Sequence, residues 1–70
     1  MEEIIAAMPG KIVEIPVQVG DKVTEDTEIM IVESMKMESP IYAGADGVVK
    51  EIKVKVGDAI NEGDVLMVLE

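Results

Sequence analysis

Cysteine and histidine are both missing from this chain. Without cysteine no disulfide can staple the fold, and without either residue the usual zinc-site recipes are gone. Arginine, phenylalanine and tryptophan do not occur either, and Tyr42 is the one aromatic residue. No apolar run exceeds the five residues of Val65–Leu69, far short of the roughly 20 that a membrane-spanning helix needs. The opening Met1-Glu2-Glu3 lacks the basic region and long apolar stretch of a signal peptide. No segment shows a helical period.

The 70 residues suffice for one small domain, 1–70. A domain of this size must stabilise itself by well-matched apolar packing and strand pairing. The core-forming types are Val, Ile, Leu, Met and Ala, and the many β-branched residues among them favour sheets. The formal net charge is −9, from 15 acidic residues against 6 lysines. That charge argues against binding to nucleic acid or to an anionic membrane, and favours neutral or basic partner surfaces. The lack of cysteine fits a reducing compartment, with the cytoplasm as the expectation.

The chain repeats itself. A shift of 37 residues lays Ile4–Glu33 on Ile41–Glu70 without a gap. Gly10 then meets Gly47, Glu14 meets Glu51, Val17 meets Val54, Gly20-Asp21 meets Gly57-Asp58, and Met30 meets Met67. Apolar character is kept at Ile12 and Val49, Val23 and Ile60, Ile29 and Leu66, and Val32 and Leu69.

Within each copy, alternation predicts a strand with one buried face: Val13, Ile15, Val17 and Val19 in the first, Ile52, Val54 and Val56 in the second. Pro16 interrupts the first of these strands and is expected at an edge or bulge, since it cannot donate to a ladder. Gly20-Asp21 and Gly57-Asp58 end the strands in tight turns. A second turn follows at Asn61–Asp64 and at Thr24–Thr27, where Asp26 stands in for Gly63 and is expected to take the left-handed backbone in its place. Ile29–Val32 and Val65–Leu69 read as buried strands. About 30 residues of short strands cannot cover both faces of a sheet, so the two halves, 4–33 and 41–70, must bury each other. The result is an all-β flattened barrel or two-sheet sandwich with an internal pseudo-two-fold axis, its strand order left open.

The segment 34–40 lies outside the repeat and joins the copies through a tight hairpin at Met35-Lys36, opposite the place where the termini meet. None of the residues that usually make tight turns is at its tip. Two methionines flank a lysine instead. Apolar side chains on a turn suggest a recognition surface, and methionine suits adaptable contacts, unless these side chains fold back onto the barrel. Lys36 is the only cation between Lys22 and Lys50, and its amine is nucleophilic when deprotonated. Glu33 and Glu38 flank the turn, but without a His, Cys or basic partner they read as strand-end charges or recognition contacts rather than a catalytic pair. Asp21, Asp58 and Asp64 do not have the spacing of a calcium loop and are assigned to turns. The glycines lack the clustered spacing of a phosphate loop.

Glu33-Ser34-Met35-Lys36-Met37 resembles the attachment motif of the biotinyl domains of biotin-dependent carboxylases, decarboxylases and transcarboxylases, usually Glu-Ala-Met-Lys-Met. The resemblance covers nearly the whole chain. It includes Ala6-Ala7-Met8-Pro9-Gly10, Val19–Val23, Gly47–Val49, Val56-Gly57-Asp58 and Glu62–Leu66. Ser34 replaces the usual Ala, Ala7 and Gly44 stand where the family often has Pro, and nothing is inserted between Ile15 and Val19 where some carriers have a projecting thumb. The chain therefore looks like the thumbless carriers.

The resemblance implies a biotinyl/lipoyl fold of two four-stranded antiparallel sheets, with 34–40 as the attachment hairpin. It implies biotin joined to Lys36, with Met35 and Met37 completing the motif and Glu33 and Ser34 flanking it. The chain is then a carrier and not an enzyme. A biotin protein ligase would load it, and it would move a carboxyl group from a biotin carboxylase to a carboxyltransferase. A domain cut from a eukaryotic subunit would work in the mitochondrial matrix. A lipoyl carrier shares the fold, but its lysine typically follows Asp and precedes a small residue, which Met35 and Met37 do not match. An unmodified structural adaptor is the third reading.

Overall fold

The computed structural model describes residues 1–70. It contains eight short strands: β1 (Glu2–Ile5), β2 (Gly10–Glu14), β3 (Lys22–Val23), β4 (Glu28–Ser34), β5 (Met37–Tyr42), β6 (Gly47–Ile52), β7 (Ala59–Ile60) and β8 (Val65–Leu69). They form two four-stranded sheets, ordered β1-β8-β6-β3 and β5-β4-β2-β7. Every pairing is antiparallel.

The 37-residue shift turns one sheet into the other, since β1 maps to β5, β2 to β6, β3 to β7 and β4 to β8. Each sheet takes strands from both halves, so neither half owns a complete sheet. The eight largest fully buried side chains also form four equivalent pairs: Ile12 with Val49, Ile29 with Leu66, Met30 with Met67, and Val32 with Leu69. Burying a side chain of this kind contributes roughly 1.5–3 kcal/mol. No polar or charged side chain is buried, so nothing in the core demands a hydrogen-bond partner.

Bulges repeat with the same symmetry. The ladders shift register at Val13, between Ile12 and Glu14, and at its equivalent Lys50, between Val49 and Glu51. They shift again at Ile29 in the β4–β5 pair and at its equivalent Leu66 in the β1–β8 pair. An extra residue in one strand lets two neighbours share a face. At the second kind of site both neighbours go inward: Ile29-Met30 and Leu66-Met67 are all fully buried. At the first kind both go outward: Val13 and Glu14 are exposed, as are Lys50 and Glu51.

These bulges correct the alternation expected from sequence. The inward residue of β2 is Ile12, and Val13 is exposed. The ladder stops at Glu14 and at Ile52, and the segments that follow run without strand pairing. In them Val17 is buried and Ile15 and Val54 are half-buried, while Val19 and Val56 are exposed at the turns. Pro16 lies in this unpaired segment, just past the bulge, rather than in a strand. Its equivalent, Lys53, donates its N–H to the Leu66 carbonyl at 2.9 Å, a bond that proline cannot copy.

The turns follow one scheme. At 18–21 and 55–58 the last N–H bonds the first carbonyl at 3.0 Å, and Gly20 and Gly57 hold φ of 97°. The Asp21 and Asp58 carboxylates accept the N–H of the residue three back, both at 2.9 Å. Asp64 does the same for Asn61 at 2.8 Å. In the equivalent turn at 24–27 the Thr27 hydroxyl takes that role for Thr24 at 2.9 Å. Asp26 does not adopt positive φ there, contrary to expectation. Gly63 sits at φ 94°, whereas at 24–27 the Thr27 N–H reaches the Thr24 carbonyl at 3.0 Å without positive φ, so the turn closes free of left-handed strain.

Candidate functional site

The hairpin at 34–40 is built on the longest strand pair. β4 and β5 match Ile31 with Pro40, Val32 with Ser39, Glu33 with Glu38, and Ser34 with Met37. Val32 is the buried anchor of this ladder. Pro40 is tolerated because β5 is the edge of its sheet. Once Ser34 pairs with Met37, only Met35 and Lys36 remain to turn the chain.

A two-residue hairpin turn whose twist matches its strands requires positive φ at both central residues, which is why Asn-Gly dominates there. Met35 has φ 54° and Lys36 φ 66°. A side chain in this region costs roughly 1–2 kcal/mol per residue, so the turn stores strain that Asn-Gly would not. In exchange, the lysine is carried at the tip of a short turn anchored by a seven-residue strand.

The side chains at this tip face solvent. Met35 is 93% exposed and Met37 70%, so neither folds back onto the barrel. Lys36 is exposed, and its ammonium makes no hydrogen bond or ion pair. Ser34 is half-buried at the neck. Glu33 and Glu38, both exposed, stand directly opposite each other, an arrangement that like charges disfavour. All the residues singled out in sequence, Glu33 to Met37, thus meet at one end of one hairpin. The tip thus gathers an unpaired lysine, two exposed methionines and two exposed carboxylates. No group of acidic side chains is arranged to hold a metal. No helix is long and apolar enough to cross a membrane.

Sequence reading missed one neighbour. Lys11 of β2 stands directly opposite Glu33 on the side away from Glu38. Only the strand register brings these residues together; nothing local to either marks the pairing.

Comparison with known proteins gives this arrangement a context. The family model described as "Biotin-requiring enzyme" matches residues 2–69. Over 39 residues, 56% of this chain, the sequence is 54% identical to the biotin carboxyl carrier protein of Streptococcus mutans, covering 30% of that protein. Over 38 residues, 54% of this chain, it is 53% identical to the 2-oxoglutarate carboxylase large subunit of Hydrogenobacter thermophilus, covering 6% of that protein. The chain thus spans a minor part of the curated relatives it matches. Among solved structures, the urea carboxylase of Kluyveromyces lactis superposes with a TM-score of 0.91 at 30% identity, over 99% of this chain and 6% of that one. The lipoyl domain of the Azotobacter vinelandii 2-oxoglutarate dehydrogenase complex superposes with a TM-score of 0.80 at 28% identity, over 97% of this chain and 94% of that one. A match along almost the whole sequence, on a barrel of the same shape, places this chain in the biotin/lipoyl attachment domain family.

Proposed function

We propose that this chain is a biotin carboxyl carrier domain, with biotin held as an amide on the Nζ of Lys36. The observation that carries this reading is the strained turn that holds a solvent-exposed, unpaired Lys36 between two exposed methionines. A biotin protein ligase would read Met35, Met37, Ser34 and Glu33 and deliver an activated biotin carboxyl. Deprotonated Lys36 attacks that carbonyl, the activating group leaves, and the lysine gives up its charge with its proton. Bound biotin supplies a ureido ring that takes up and releases a carboxyl group.

The chain itself does no catalysis. It anchors the arm on a rigid hairpin and presents it in turn to a biotin carboxylase and a carboxyltransferase. Tethering makes each encounter nearly intramolecular. The acidic surface favours neutral or basic docking faces on those partners. The domain would sit with them in the cytoplasm, or in the mitochondrial matrix as part of a eukaryotic subunit.

A second reading, a lipoyl carrier, is favoured by the match to almost the entire lipoyl domain of Azotobacter vinelandii. Intact mass and site mapping separate the two. The protein is incubated with ATP, biotin and a biotin protein ligase, and in parallel with lipoate and a lipoate ligase, each against Lys36→Arg. One biotinyl group on Lys36, absent from the variant, is the expected result. A lipoyl group alone overturns the cofactor and keeps the site. A folded protein that accepts neither overturns the carrier reading in favour of a structural adaptor.

A further inference from the structure

Beside the neck of the hairpin lies a groove of 330 Å³ lined by Lys11, Ile12, Val13, Glu33, Val56 and Gly57. Its volume is at the lower end of small-molecule sites. Two features give it a mixed character. Val13 and Val56 leave apolar side chains exposed at 36% and 62%, one at the β2 bulge and one at the turn before β7. Between them and the hairpin, Lys11 and Glu33 are opposite each other across β2 and β4, yet their side chains form no ion pair or hydrogen bond. The groove therefore offers one free cationic donor, one free anionic acceptor and an apolar wall.

We propose that this groove is the resting site of the biotin carried on Lys36, a role that rests on the carrier reading above. A ureido ring has a carbonyl that accepts a hydrogen bond and N–H groups that donate. Lys11 supplies the donor for the carbonyl, Glu33 the acceptor for an N–H, and Val13 and Val56 the cover for the apolar flank of the ring and its chain. The Glu33 end of the groove is within reach. Glu33 lies three residues from Lys36, roughly 10 Å along an extended strand. The arm from the Lys36 Cα to the ring has about eleven single bonds, or roughly 13 Å at the advance of an extended chain. Affinity need not be high. A ligand on a short flexible tether has an effective concentration in the millimolar range, so a site of millimolar affinity is substantially occupied, and partner enzymes can still draw the ring out.

The test compares backbone amide NMR spectra of the full chain before and after ligase-catalysed biotinylation, with mass confirming modification at Lys36. The expected result is shifts at Lys11–Val13 and Val56-Gly57 in addition to those at the hairpin. The same before-and-after difference is then taken in Lys11→Met and Val56→Glu, surface changes outside the attachment motif. It should be lost at Val56-Gly57 in both, with the hairpin shifts retained. Shifts confined to residues 33–38, or groove shifts unaltered in both variants, would overturn the resting site and leave the carrier reading standing. Absence of the added mass at Lys36 would overturn the carrier reading and the resting site with it.

Discussion

Met35 and Lys36 are consecutive left-handed residues, with φ of 54° and 66°, and no other non-glycine residue in the chain has a positive φ. The turn thus carries backbone strain that a glycine-containing turn would avoid. Replacing it with Met35→Asn and Lys36→Gly should raise stability by about 1–2 kcal/mol, since these residues suit the turn without strain. Urea unfolding reads this as a higher midpoint at constant slope. A lower midpoint would mean that the strain is relieved elsewhere. The same variant should no longer accept biotin.

Lys36→Arg separates chemistry from folding. It keeps the charge at an exposed position with no partner, so stability should stay within about 0.5 kcal/mol of the parent. Modification should vanish in the mass spectrum. A large drop in thermal stability would reveal a structural role for this lysine.

Ile12 and Val13 are neighbours with opposite roles. Ile12→Ala empties a fully buried site and should cost about 2–5 kcal/mol. Val13→Ala trims an exposed bulge residue and should cost less than about 1 kcal/mol. Paired urea titrations check this. Equal losses would contradict the phase set by the bulge.

Gly10 and Gly47 are equivalent, but their surroundings are not. A Cβ on Gly10 would collide with the Val32 side chain and lie 2.8 Å from the Glu33 carbonyl oxygen, both in β4, which is paired on both sides. On Gly47 the fit is looser: the nearest atoms are the carbonyl oxygen of Glu70 at 3.0 Å and the Leu69 Cβ at 3.4 Å. Gly10→Ala should therefore destabilise by about 1–3 kcal/mol, and Gly47→Ala by clearly less. Thermal melts of the two variants decide the order.

Asp21 and Asp58 each accept a backbone N–H within their own turn. Asp21→Ala and Asp58→Ala should each cost about 0.5–1.5 kcal/mol through the lost N–H bond. Neither calcium nor a chelator should move the unfolding midpoint of the parent. A calcium-dependent midpoint would reopen the metal reading.

The repeat was legible because equivalent residues make equivalent contacts. Matching Ile12 with Val49 or Met30 with Met67 in sequence already predicts that both members of each pair are buried. The turns at Gly20 and Gly57 were legible for a local reason, the left-handed backbone that only glycine takes without cost. The bulges at Val13 and Lys50 were not, since an extra residue in one strand exists only relative to the partner strand. The conformation of Asp26 was missed because two turn types close the same four residues, and similarity to Gly63 does not choose between them.

By itself the sequence determined an all-β fold with two-fold internal symmetry and a lone lysine between methionines at the link, since periodicity, turn chemistry and repetition are properties of the chain alone. Only the tertiary structure decided that each sheet combines strands from both halves, that Met35 and Met37 stay in solvent, and that Lys11 faces Glu33 beside a groove. These depend on register between strands distant in sequence, which is set by how the two apolar faces fit against each other and not by any local preference.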